Sequence, residues 1–225
     1  MKILAIDAAT EACSVALQID NEVTSKFELA PQQHSQKLLP FVDDVLAQAS
    51  VKVNQLDAIV YGQGPGSFTG VRIGVSVTQG LAFAADVPVV GVSNLAAMAQ
   101  QAITQLNSNT VISAIDARMS EVYFAVYNNV NGLAQLQDKE IVKKPELLEP
   151  VQITSATAVG TGWQTYEQLL FDKFACQRSE IYFPSAEFML PLAIADIQQG
   201  KVMAAEFAQP NYVRDEVSWQ KLPGR

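Results

Sequence analysis

The sequence predicts an α/β fold built from two related domains, and three observations lead to that prediction. The chain has 225 residues, which suits one large domain or two small ones. In the first half, apolar runs of strand length alternate with runs of helical period, as in layered α/β domains. The sequence also repeats weakly at a spacing of 109 positions, which aligns Ile3 with Ile112, residues 5–8 with residues 114–117, and Ala16 with Ala125.

A polar stretch at residues 104–110 predicts the boundary between the two domains. We therefore expect an N-terminal domain at residues 1–106 and a C-terminal domain at residues 107–225. Duplication is favoured because the repeat has the spacing of a whole domain. The alternative is that two hairpins resemble each other in composition, since Ala and Ile are common residues.

The first half begins with a meander of strands followed by a helix. Alternating and β-branched residues predict strands at 2–8, 13–19 and 22–29. From Ser35, a candidate N-cap, apolar residues recur every three or four positions and predict a helix to residue 49 that contains Pro40. The remaining elements are predicted as a strand at 56–61, a helix at 67–85, a strand at 88–92 and a helix at 94–106 capped by Ser93.

The second half has a weaker pattern. Strands are predicted near 111–115, 122–127 and 158–160, helices near 163–170 and 190–199, and an irregular tail follows.

Composition excludes several classes of protein. The formal net charge of -8 opposes binding to nucleic acid by this chain alone. His34 is the only histidine, so a two-histidine metal site cannot form, and two distant cysteines do not make a disulfide framework. The sequence offers no signal peptide and no apolar run long enough for a membrane span, so a cytoplasmic protein is expected.

Charged residues make up only 17% of the chain and hydrophobic residues 49%, which indicates either a large core or an apolar surface that meets a partner. Between Asp57 and Asp86 the only charged residue is Arg72. The helix predicted at 67–85 therefore has almost no polar face, and its own sheet can cover only one side of it.

Two interpretations of this helix stay open, a core helix of a three-layer sandwich or an interface helix. The spacing of Gly70, Gly74 and Thr78 would let another helix approach closely. The apolar stripe of the helix at 35–49 is also wider than one core contact requires, which favours an interface formed by both helices. The predicted partner-binding residues are Leu38, Leu39, Phe41, Val42, Val45, Leu46, Gly70, Val71, Gly74, Val75 and Thr78.

The glycine-rich segment at residues 62–74 has two interpretations. Glycine loops that open onto a helix often bind anions through free amide groups. This segment lacks the phosphate-loop lysine and the GxGxxG spacing. A tight turn shaped by Gly64, Pro65 and Gly66 is therefore favoured over a phosphate site.

Acids at the ends of the repeated strands suggest a further hypothesis. Asp7 and Asp116 occupy positions where phosphotransferases place metal-binding or general-base carboxylates, although turn or capping roles are more common. Asp116, Arg118 and Glu121 are most simply a surface charge cluster. His34 is expected at the start of a helix, and a peptidase mechanism would need it as the base.

The chain resembles the bacterial TsaB (YeaZ) family along its whole length. The motifs that carry the resemblance are ILAIDAATEACSVAL at 3–17, HSQKLLP at 34–40, GPGSFTGVRIGV at 64–75, QGLA at 79–82, GVSNL at 91–95, DARMSEVY at 116–123 and PNYVRDEV at 210–217. The resemblance implies two RNase H-like domains in an actin-like, sugar-kinase-like (ASKHA) architecture. One departure is Ala8, where relatives often have Thr after the aspartate, and the missing hydroxyl weakens a nucleotide role.

The resemblance also implies a function without catalytic, cofactor-binding or metal-binding residues. Members of the family are non-catalytic partners of TsaD, needed to form N6-threonylcarbamoyladenosine beside the anticodon of tRNAs that read codons starting with A. The implied contact with TsaD uses the first two helices, a TsaE-type ATPase is expected in a larger complex, and tRNA contact is expected to be indirect. The alternatives are a cryptic ATP-dependent transferase or a glycoprotease-type peptidase, and the sequence leaves open whether the chain forms a homodimer when alone.

Overall fold

A computed structural model describes residues 1–150 and 155–213 of the chain. The family motif at 210–217 and the C-terminal domain predicted at 107–225 therefore lie partly outside the described residues. The first sheet has the order β3-β2-β1-β4-β5, with β1, β2 and β3 antiparallel and β4 and β5 parallel to β1. Its strands are β1 (Lys2–Asp7), β2 (Ala12–Ile19), β3 (Glu22–Leu29), β4 (Ala58–Gly64) and β5 (Val89–Ser93).

The second sheet follows the same plan with the order β11-β10-β6-β7-β8. β6 pairs antiparallel with β7 and parallel with β10, as β1 does with β2 and β4. β9 pairs with the part of β7 that β8 leaves free. The strands are β6 (Thr110–Asp116), β7 (Val122–Val130), β8 (Leu133–Leu136), β9 (Ile141–Lys143), β10 (Ala156–Val159) and β11 (Cys176–Gln177).

The two sheets confirm the predicted duplication in their topology. Both β1 and β6 end in an aspartate, Asp7 and Asp116. Asp7 pairs with Ser14 across its hairpin, whereas Asp116 pairs with Val122, so the second turn is one residue shorter. The alignment of Ala16 with Ala125 therefore does not join structurally equivalent positions, although the strand-end acids do correspond.

The helices differ from the predictions mainly at their ends. α1 begins at His34 rather than Ser35, and Gln33 at its N-cap makes no side-chain capping bond. Ser67 caps α2 and Ser93 caps α3, each by accepting a backbone N–H. The helix predicted at 163–170 is two short helices that meet at Tyr166. The helices are α1 (His34–Gln48), α2 (Phe68–Ala85), α3 (Asn94–Leu106), α4 (Gly162–Thr165), α5 (Glu167–Lys173) and α6 (Leu190–Gln198).

The cores are shared across the predicted domain boundary. α1 and α2 cover one face of the first sheet, and its other face is covered by a 3-10 turn at Ala186–Met189 and by α6, both from the second half of the chain. α3 belongs by sequence to the first half, yet it packs on β6. A cut at residue 106 therefore does not separate independent cores, and α4 and α5 close the far face of the second sheet.

Within the described residues, no helix has the length and apolar character needed to cross a membrane.

Candidate functional site

The strand-end carboxyl group of Asp7 is fully buried. Asn94 Nδ2 donates a hydrogen bond to Asp7 Oδ1 at 2.6 Å, and the Ala9 backbone N–H donates to the same oxygen at 3.3 Å. Oδ2 has no hydrogen-bond partner among the described residues. Burial raises the pKa of Asp7 to about 7, because desolvation outweighs the opposing effect of these hydrogen bonds. We call Asp7 a sealed carboxyl, because neither of its oxygens is accessible to solvent or to a metal ion.

The start of the glycine-rich segment at residues 62–74 packs directly over Asp7. A Cβ on Gly62 would lie 2.1 Å from Asp7 Oδ1, and a Cβ on Gly66 would lie 2.2 Å from the Ala9 carbonyl oxygen. These glycines allow a close approach that any side chain would prevent.

Two amides of this loop donate hydrogen bonds within the chain. Gly64 N–H donates to Asn94 Oδ1 at 2.8 Å, and Ser67 N–H donates to the Ala9 carbonyl at 2.6 Å. An anion would have to displace these bonds, so the geometry favours the turn interpretation over a phosphate site.

Asp116, the counterpart of Asp7, is partly exposed and paired. Arg118 donates to it from its backbone at 3.1 Å and from Nη1 at 3.3 Å. Arg118 Nη2 also lies 3.6 Å from Glu11 Oε1, which joins the turns that follow β6 and β1. Within the predicted charge cluster, Glu121 donates its backbone N–H to the Arg118 carbonyl.

The turn itself is unusual, because Arg118, Met119 and Ser120 all have positive φ angles, of 62°, 54° and 59°. Three successive non-glycine residues in this region carry backbone strain.

His34 is the first residue of α1 and is buried. Its Nε2 atom has no hydrogen-bond partner among the described residues. In the part of the chain that the structure describes, no hydroxyl or thiol is therefore hydrogen-bonded to this nitrogen. In residues 1–150 and 155–213, no group of three or more His, Cys, Asp and Glu side chains is placed to hold a metal ion.

Most of the predicted partner-binding residues face inward. The buried ones are Leu38, Val42, Val45, Leu46, Gly70, Val71, Gly74, Val75 and Thr78. The two others are Leu39, which is 46% exposed, and Phe41, which is partly buried and packs against the core.

The predicted groove for another helix is therefore corrected. A Cβ on Gly70 would lie 2.2 Å from the Ala8 carbonyl oxygen, and the nearest atoms to a Cβ on Gly74 belong to Ala8. The stripe of small residues lets α2 approach the turn after β1, not a helix of a partner.

The outer face of α2 is the surface that periodicity alone did not identify. Phe68 is 67% exposed and Phe83 is 77% exposed, on a helix whose only charged residue is Arg72. Phe83 lies five residues after Thr78, which places it on the opposite side of the helix at 100° per residue. We call this surface the outer face of α2; its other members are Thr69, Ile73, Ser76, Val77, Gly80 and Ala84.

The two sheets of matching topology define an α/β protein of the actin-like, sugar-kinase-like (ASKHA) class, in which the first strand-end carboxyl is sealed. A family model described as "TsaD: tRNA N6-adenosine threonylcarbamoyltransferase" matches residues 19–223. Among curated proteins, the chain is 47% identical to "tRNA threonylcarbamoyladenosine biosynthesis protein TsaB" of Escherichia coli (strain K12), with 100% of both chains covered. The protein of that name from Haemophilus influenzae is 42% identical, with 100% of this chain and 98% of the relative covered.

Among solved structures, "YeaZ from Pseudomonas aeruginosa" is 42% identical with a TM-score of 0.89, covering 94% of this chain and 99% of that chain. The chain belongs to the TsaB (YeaZ) family of tRNA threonylcarbamoyladenosine biosynthesis proteins.

Proposed function

We propose that this chain is the non-catalytic partner of TsaD in the formation of N6-threonylcarbamoyladenosine in tRNAs that read codons starting with A. The observation that carries the proposal is the outer face of α2, which exposes Phe68 and Phe83 around a single charge. Exposed apolar residues grouped in this way are typical of protein interfaces. Leu39 is a further exposed apolar residue, on helix α1, which packs against α2.

Burial of these side chains would supply the binding free energy. Fully burying a Phe side chain contributes about 1.5–3 kcal/mol. Phe83, at 77% exposed, has most of that gain still available. The buried residues Val42 and Val75 would contribute only indirectly, by holding the two helices in place.

The sealed carboxyl supports the non-catalytic part of the proposal. Asp7 has no exposed oxygen, and two amides of the adjacent loop, those of Gly64 and Ser67, donate to Asn94 and Ala9. A cryptic ATP-dependent transferase would need this carboxyl open to a metal or a nucleophile. A peptidase would need a nucleophile beside His34.

Other features of the proposed complex follow from charge and from the family. A net charge of -8 leaves tRNA binding mainly to other subunits. A TsaE-type ATPase would join the larger assembly in the cytoplasm. In the absence of TsaD, the same apolar face would support a homodimer.

A binding titration with TsaD of the same organism tests the proposal. Phe83→Glu places a charge on the most exposed aromatic residue of the outer face, so it should weaken the heterodimer by at least about tenfold. Leu147→Glu is the matched control, because Leu147 is 64% exposed on a 3-10 turn of the second half. Equal affinity of Phe83→Glu and wild type, with both chains folded, would reject this interface. Absence of binding by wild type would reject the proposed function.

A further inference from the structure

Arg72 is the single charged residue on the outer face of α2, and it is held between two aromatic rings. Its guanidinium carbon lies 3.2 Å from the centroid of the Phe68 ring and 5.5 Å from that of Tyr212. Both rings are more than half exposed, at 67% and 52%. Stacking orients the plane of the guanidinium group, and its N–H groups, which lie in that plane, remain available as hydrogen-bond donors.

A comparison with the other described arginines sets Arg72 apart. Arg178 also stacks on a ring, Phe171 at 4.3 Å, but its Nη1 pairs with Glu167. Arg118 pairs with Asp116 and Glu11. Within residues 1–150 and 155–213, Arg72 alone of the three arginines lacks a carboxylate. The two rings hold the guanidinium in place, and the residues that the structure describes provide no acceptor for its N–H donors.

The surroundings determine what would satisfy these donors. A partner docked on the outer face would remove water from Arg72, and a buried guanidinium without an acceptor would strongly weaken binding. The partner must therefore bring an acceptor with it. The donor fork of arginine matches a carboxylate in a bidentate geometry.

We propose that Arg72 is the specificity anchor of this surface and that it receives a carboxylate side chain of the partner protein. The inference rests on the proposed function, since the partner is the one assigned to the outer face of α2. Charge favours a protein acid over a nucleic acid phosphate. A phosphate backbone needs several cations to bind, whereas Arg72 is the only charged residue between Asp57 and Asp86 on a chain of net charge -8.

The test measures the dissociation constant of the full-length chain with TsaD at two salt concentrations. Arg72→Gln should weaken binding by roughly tenfold or more and reduce the salt dependence, because an ion pair is lost. Arg72→Lys keeps the charge without the fork and should recover part of the affinity. Arg178→Gln is the matched control, since it removes a stacked arginine that follows β11, away from α2, and its affinity should equal that of wild type.

A double-mutant cycle then identifies the acid. One Asp→Asn or Glu→Gln substitution on TsaD should weaken wild type strongly and Arg72→Gln hardly at all.

Three results would overturn the inference. One is equal TsaD affinity for wild type and Arg72→Gln; the proposed function would survive it, because wild type still binds. Another is that Arg72→Gln loses tRNA binding while its TsaD binding is unchanged, which would assign Arg72 to a phosphate. The third is that Asp215→Asn with Glu216→Gln weakens TsaD binding as much as Arg72→Gln does, because the acid would then belong to this chain. If wild type does not bind TsaD, the proposed function fails.

Discussion

Asn94 Nδ2 lies 2.6 Å from Asp7 Oδ1, and this contact fastens the first residue of α3 to the end of β1. Asn94 also accepts the Gly64 N–H through its own Oδ1 at 2.8 Å. One amide side chain thus joins a strand end, a glycine loop and a helix N-terminus. Asp7, at a position that could hold a reactive carboxylate, therefore has a structural role in this chain.

The raised pKa of Asp7 predicts a pH-dependent stability. Its pKa rises from 3.8 to about 7 on folding, so the folded state holds the proton more tightly. The stabilisation is complete below about pH 4 and is lost as the pH rises to about 7, a change of up to about 4 kcal/mol. In Asp7→Asn this contribution should disappear. Urea unfolding of both proteins from pH 4.5 to 8 should give a flatter profile for the variant, and parallel profiles would contradict the assignment.

Replacing glycine by alanine is predicted to change the stability of the chain in opposite directions at two positions of α2. Gly70→Ala places a methyl group 2.2 Å from the Ala8 carbonyl oxygen and should destabilise the chain by about 1–3 kcal/mol. Gly80→Ala meets nothing within 4 Å and should stabilise the same helix by about 0.5–1 kcal/mol. Thermal unfolding distinguishes the two. Similar melting temperatures would mean that α2 does not rest on the turn after β1.

The strained turn after β6 predicts that a glycine substitution there raises the stability of the chain. Ser120 is exposed and has a φ of 59°, so Ser120→Gly should stabilise the chain by about 0.5–1 kcal/mol. Ser76→Gly, the same change on the exposed side of α2, should destabilise it by about 0.5 kcal/mol. Denaturant midpoints of both variants give the comparison. A loss of stability in Ser120→Gly would show that its side chain matters more than the strain.

Local signals in the sequence were sufficient for most elements. The apolar patterns predicted α2 and α3, and Ser93 was predicted as the cap of α3; Ser67, predicted as the first residue of its helix, is the cap of α2 in the structure. β8, β9 and β11 were missed, because two to four residues are too few to display a period. The start of α1 was misplaced by one residue, since Ser35 resembles a cap that the chain does not use.

The surface was harder to predict than the elements. Periodicity finds an apolar stripe but does not reveal what covers it, and Leu38 and Val75 proved to face the chain's own sheet. The scarcity of charge on α2, where Arg72 is the only charged residue, was the better signal, because the strongly exposed Phe83 lies on that helix. The burial of Asp7 depends on Asn94, a contact between residues 87 positions apart, which a local pattern cannot reveal.

The most direct test of the central claim is a reconstituted tRNA modification reaction with TsaD and its other partners, in which threonylcarbamoyladenosine is measured as this subunit is varied. A binding subunit predicts that Asp7→Asn supports the reaction as well as wild type. It also predicts that Phe83→Glu supports it poorly at equal concentration and recovers when the subunit is added in excess. The opposite pattern, with activity lost in Asp7→Asn at any concentration and retained in Phe83→Glu, would contradict a non-catalytic subunit that acts through the outer face of α2.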